Sequence, residues 1–105
     1  MGTMSEGLVD VVLAHDGTVV VHLRGEIDLA SAPAVEDAVR AELPGTPAPL
    51  VFDLTDLRFM DSSGIAVLLR LACDAASVTV RKPNSTVAMV ITVTGLTEIL
   101  PVADD

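Results

Sequence analysis

A chain of 105 residues is long enough for one domain with a modest core, and half of its residues are apolar. It has two Phe, no Trp and no Tyr. That argues against sugar sites, peptide grooves and single-strand nucleic-acid platforms built on aromatic stacking. The formal net charge of −9 disfavours nucleic acid and anionic membranes, and leaves room for a basic protein partner.

Residues 1–7 read as a loose N-terminal segment, and 8–105 as the folded domain. Leu8–Ala14 is rich in β-branched residues. His15-Asp16-Gly17 reads as a turn, and Thr18–Gly25 resumes the β pattern, so the two runs form a hairpin. Val19, Val21 and Leu23 alternate with Val20, His22 and Arg24, which gives one apolar and one mixed face. His22 falls on the mixed face with no second ligand near it.

Ser31 is the expected cap of a first helix, which puts Pro33 in the first turn, where its missing N–H costs nothing. Val35, Ala38, Val39 and Leu43 share a stripe, and Pro44-Gly45 ends the helix. Pro49–Leu54 reads as a central parallel strand. Ile65–Ala76 is helical, with Ile65, Leu68, Leu69, Ala72 and Ala76 on one face. Ser77–Arg81 is a short strand. A third helix starts near Ser85 as its cap, carries Val87, Met89, Val90 and Ile91, and ends at Gly95; Leu100–Val102 is a final short strand. The order β-β-α-β-α-β-α-(β) predicts a single α/β domain. Its mixed sheet has four to five strands, with an N-terminal antiparallel hairpin and helices mainly on one face. Cys73, the single cysteine, is expected in the core. No secretory signal or membrane span is legible, so a bacterial cytoplasmic protein is the simplest expectation.

The stretch Asp61-Ser62-Ser63-Gly64, between a strand and an apolar helix, carries the chemistry. Catalysis is disfavoured: neither His15 nor His22 is placed as a base for the serines. A G-x-S-x-G elbow, a metal cluster and a phosphate-binding glycine loop are all missing. A standing anion site is disfavoured because Asp61 already sits at the positive helix end and only Arg58 is close in sequence. Two readings remain open from the residues alone. Ser62 or Ser63 is a plain helix cap, or one of them accepts phosphate. Phosphorylation would add ~1.5 to 2 negative charges beside Asp61. It would cost a desolvated partner contact about 2–4 kcal/mol. Gly64 would let another backbone come close.

The chain resembles the STAS-domain family of anti-sigma factor antagonists. The resemblance rests on Gly25-Glu26-Ile27-Asp28, Leu50-Val51-Phe52-Asp53-Leu54, the stretch from Phe59 through Asp61-Ser62-Ser63-Gly64 to Leu69, and Thr94-Gly95-Leu96. These run in the family's order from about residue 8 to 103. The resemblance implies a STAS domain at 8–105 and a partner-switching cycle. The unphosphorylated protein binds an anti-sigma factor that is also a serine kinase, which frees a sigma factor. The kinase then phosphorylates the antagonist, binding is lost, and a phosphoserine phosphatase resets it. Ser62 is the implied acceptor, with Ser63 as the alternative. Asp28, Asp61, Ser63, Gly64 and Ile65 are the implied partner-facing residues. ATP and magnesium belong to the kinase, so no cofactor is expected here, no catalytic activity, and a monomer when free. The alternatives are a STAS subunit of a lipid-transport ATPase complex and a component of a stress-signalling assembly.

Overall fold

A computed structural model describes residues 8–103. The expected loose N-terminal segment, 1–7, lies outside the described residues. The elements are β1 (Val9–Leu13), β2 (Val19–Ile27), α1 (Ala32–Glu42), β3 (Pro49–Met60), α2 (Ser62–Cys73), β4 (Ser77–Arg81) and α3 (Ser85–Val93). The strands form one sheet in the order β1-β2-β3-β4. The β1–β2 pair is antiparallel and the other two pairs are parallel.

The hairpin turn closes as the sequence predicts: Gly17 N donates to Ala14 O, and Asp16 Oδ1 accepts from Thr18 N at 3.0 Å. Strand alternation then sets the core. Val19, Val21 and Leu23 on β2 line up with Leu50, Phe52 and Leu54 on β3 and Val80 on β4, all buried on one face. Ala32, Val35 and Val39 of α1, Ile65, Val67, Leu68 and Leu71 of α2, and Val87 and Ile91 of α3 complete the same cluster. The opposite face carries Asp10, His22, Asp53 and Arg81 in one cross-strand row. Among the described residues the buried strand side chains lie on the first face, and the helices pack there, as expected.

Several local expectations need correction. β3 runs to Met60, well past Leu54, because register shifts at His22/Arg24 and Gly25/Glu26 let a strand with polar Thr55, Asp56 and Arg58 stay paired. Leu57 and Met60 are buried three residues apart, so simple alternation hides them. α2 begins three residues earlier than expected and ends at Cys73. Its buried face includes Val67 and Leu71, and Ala76 lies outside the helix, exposed, its N–H bonded to Ala48 O. Cys73 is exposed, not a core residue, because it sits on the outer side of the last turn of α2. Asn84, not Ser85, caps α3, its side chain accepting from Val87 N at 2.8 Å. Gly95 ends that helix in a left-handed conformation, φ 74°, as expected. The last strand is only a bridge from Val102 to Val80, with Val80 N donating to Pro101 O.

Candidate functional site

The C-terminal ends of β2 and β3 lie side by side, and each delivers an aspartate into a turn. Asp61 N donates to Ile27 O at 3.2 Å, which places the turn before α2 against the turn before α1. The sequence-implied residues Asp28, Asp61, Ser62, Ser63, Gly64 and Ile65 are therefore gathered at one pole of the sheet.

Asp61 is the N-cap of α2. Its Oδ1 accepts from Ser63 N at 2.8 Å and from Gly64 N at 3.4 Å. The aspartate, not a serine, does the capping. Ser62 occupies the first helical position and is exposed; Ser63 is half-buried. Among the described residues neither hydroxyl has a hydrogen-bond partner. The plain-cap reading of Ser62 and Ser63 is therefore overturned by the fold: their side chains cap nothing.

Gly64 and Ile65 are buried under the turn. A Cβ on Gly64 would overlap Met60 Cγ and Sδ and stand 3.2 Å from Ile27 Cγ2. The close approach that this glycine permits is by its own domain's strands. Gly64 and Ile65 thus lie beneath Ser62 and Ser63, and of the sequence-implied residues Asp28, Asp61, Ser62 and Ser63 are the accessible ones.

Asp28 organises the neighbouring turn. Its Oδ1 accepts from Ala30 N at 3.0 Å and Ser31 N at 3.1 Å, and Ser31 Oγ is 3.3 Å away. Ser31 stands at the N-cap of α1, as the sequence predicts, but it makes no side-chain cap bond to the helix; its hydroxyl folds back to Asp28 and accepts from Asp28 N at 3.1 Å. Pro33 falls at the helix start, where the missing N–H is harmless.

A clamp that sequence reasoning missed fixes α2 against α1. Glu36 accepts from Arg40 Nε at 3.0 Å and from Arg70 Nε at 2.9 Å, and Arg40 Nη1 reaches Asp74 at 3.2 Å. The Arg70 hydrogen bond, aided by Arg40, holds the Glu36 carboxyl below its ordinary range. The helical spacing of Glu36 and Arg40 was a usable signal; the link to Arg70 needed the fold.

His22 lies on the open sheet face, its Nδ1 3.2 Å from Asp53 Oδ2. Burial pushes the Asp53 carboxyl up, but hydrogen bonds from the Thr55 hydroxyl and amide, with the charges of His22 and Arg81, outweigh it and leave it lowered. This pair belongs to a different face from the serines and supplies them no base. Arg58 pairs with Glu26 at 3.8 Å. Among the described residues no cluster of three or more His, Cys, Asp or Glu is placed to hold a metal ion. A cleft of about 540 Å³ lies at the other pole, between the Pro44–Ala48 loop and Cys73–Ala75. The serine turn itself presents the exposed Ser62 hydroxyl to solvent.

A family model described as "Mlab, STAS domain" matches residues 11–101. The chain belongs to the STAS-domain family. It is 36% identical over 105 residues to the anti-sigma-F factor antagonist RsfA of Mycobacterium tuberculosis, covering 94% of this chain and 82% of that protein. The crystal structure of an anti-sigma factor antagonist from Mycobacterium paratuberculosis superposes with a TM-score of 0.79 at 28% identity, covering 100% of this chain and 92% of the other. The anti-sigma factor antagonist SpoIIAA in its unphosphorylated form gives a TM-score of 0.71 at 23% identity, covering 92% and 89% of the two chains, and shows that the fold is shared. Among the described residues no helix is long and apolar enough to cross a membrane.

Proposed function

We propose that this STAS domain is an anti-sigma factor antagonist switched by phosphorylation of Ser62. The observation that carries the reading is the state of that serine: exposed, at the first position of α2, with no bond of its own, in a turn ordered by Asp61. The names of the relatives support the same role.

In the unmodified state the turn docks on an anti-sigma factor and displaces a sigma factor from it. The partner, acting as a serine kinase, then transfers the γ-phosphoryl group of its Mg-ATP. The Ser62 Oγ–P bond forms, the bond from phosphorus to the ADP oxygen breaks, and the serine proton leaves to a base on the partner. The chain supplies the acceptor and its presentation; the nucleotide and metal belong to the kinase. The new phosphate brings ~1.5 to 2 negative charges next to Asp61 and Asp28. The amides of Ser63 and Gly64 already serve the Asp61 carboxylate, so they offer the phosphate little compensation. A partner surface that fits the bare hydroxyl meets bulk and uncompensated charge, and the complex separates. A phosphoserine phosphatase restores the starting state. On this reading the chain is a cytoplasmic regulator without catalytic activity.

The test is intact-mass analysis and site mapping after incubation with Mg-ATP and each purified anti-sigma kinase of the source genome. One phosphate is expected on the wild type and on Ser63→Ala and Ser31→Ala, and none on Ser62→Ala. Loss only in Ser63→Ala would move the acceptor by one residue. No phosphate and no complex with any kinase would overturn the antagonist reading. Copurification with a transport ATPase would then favour the lipid-transport alternative.

A further inference from the structure

The serine turn carries the Asp61 carboxylate and lies beside that of Asp28, and charges of that kind orient a partner and speed its encounter more than they hold it. Durable complexes rest on a few large apolar or aromatic side chains that lose their water in the contact. Most exposed large apolar residues lie away from the pole. Leu13, opposite Val19, is at the far end of the hairpin, and Val93 is at the distal end of α3. Leu29 and Phe59 are at the pole itself.

Leu29 follows Asp28, and the Asp28 carboxylate ties down the amides on its C-terminal side, Ala30 and Ser31. The turn thus presents Leu29 at its tip, 76% exposed. Phe59 sits two residues before Asp61 and is paired with exposed Glu26, while its neighbour Met60 points into the core. It is 41% exposed, in a chain whose other phenylalanine, Phe52, is fully buried. Neither side chain contributes to the core cluster. A single exposed leucine needs no explanation. Two large apolar groups at one pole, one on the turn before α1 and one on the last stretch of β3 before the Ser62 turn, call for one.

We infer that Leu29 and Phe59 are the apolar anchors through which this domain grips its anti-sigma factor, one on the turn before α1 and one on β3 just ahead of the phosphorylatable turn. The inference rests on the antagonist reading. The occupant it fits is a protein surface with two apolar depressions beside a basic centre. The depressions take Leu29 and Phe59, and the basic centre faces Asp28 and Asp61. A net charge of −9 sets this surface against anionic lipid. The anchors are untouched by phosphorylation. They supply affinity in the unmodified state, while the phosphate acts on the charged centre beside them.

The test measures binding of wild type, Leu29→Ser, Phe59→Ala and the double variant to each purified anti-sigma factor. Mg-ADP replaces ATP, so that no phosphate is transferred. A Met89→Ser/Val93→Ser variant, which removes exposed apolar groups from α3, is the control. Each anchor variant is expected to bind about tenfold or more weakly, the double variant weaker still, and the control within about twofold of wild type. Unchanged melting curves would show that both anchor variants fold. Rescue by Leu29→Met and Phe59→Leu would separate apolar contact from shape. Equal affinity for wild type and anchor variants would overturn the anchors and leave the antagonist reading standing. Loss in the α3 control alone would overturn them by placing the grip on α3. No binding by the wild type to any anti-sigma factor would overturn the antagonist reading, and the anchors with it.

Discussion

Two adjacent turns of this domain start with an aspartate and carry a serine, yet they use the serine in opposite ways. In Asp28–Ser31 the serine hydroxyl is folded back onto the aspartate. In Asp61–Gly64 the aspartate satisfies the helix amides alone, and the serine directly after it faces solvent unbonded. Spacing makes the difference. Three residues after the acid, a serine lies where its hydroxyl meets the carboxylate; one residue after, it projects from the first turn of the helix. The same residue type is structural in one turn and available for chemistry in the other.

That contrast can be broken most strongly from below. Gly64→Ala would force a methyl into Met60 and Ile27, and overpacking of this kind costs about 1–3 kcal/mol. We expect a clear drop in melting temperature, and a loss in Gly64→Ala/Met60→Ala smaller than the sum of the two single losses, because shortening buried Met60 makes room for the new methyl. Recovery to wild type is not expected, because Met60→Ala empties a fully buried site and Ile27 still crowds the new methyl.

Asp61→Ala removes the cap of α2 and should cost about 1 kcal/mol by thermal or denaturant unfolding. Asp28→Ala should cost less, since it loosens a turn whose backbone bond from Ala32 N to Asp28 O survives. Equal losses at the two aspartates would erase the distinction between helix cap and turn organiser. Smaller again are the serines: Ser62→Ala should leave stability within about 0.5 kcal/mol of wild type. Ser31→Ala should lower it slightly more, through the lost contact with Asp28.

Acid sensitivity should come from elsewhere in the molecule. Asp53 has a folded-state pKa below its ordinary value, so its ionised form stabilises the fold at neutral pH. That contribution is full above the unfolded carboxylate value of about 3.9. It is lost as pH falls through that value and on through the lower folded one. Asp53→Asn should therefore reduce stability at neutral pH and flatten the acid limb of melting curves taken between about pH 3 and 7. An acid limb unchanged in Asp53→Asn would remove Asp53 from the account and leave Glu36 as the carboxylate to test next.

Much of this was legible in the chain. Val19, Val21 and Leu23 announced the buried side of β2, and Pro33 and Gly95 marked a helix start and a helix end in the expected places. The pole itself was found through the clustering of serines, glycine and acid after a strand. What stayed hidden depends on neighbours distant in sequence. The length of β3 depends on bulges against β2. The exposure of Cys73 depends on where α2 stops and which side the sheet covers. The role of Gly64 depends on Met60 and Ile27, which reach it only after β2 and β3 pair. Leu29 and Phe59 looked like ordinary apolar residues until the fold left them outside.

The Asp61 cap also has a consequence for timing. Because the helix amides are committed before any phosphate arrives, modification of Ser62 has no local bond to break and no element to refold. On the antagonist reading, the domain then adds no delay and no threshold of its own. The fraction modified is a running record of kinase against phosphatase activity, and the sharpness of any transcriptional response must be built by the partners that read it.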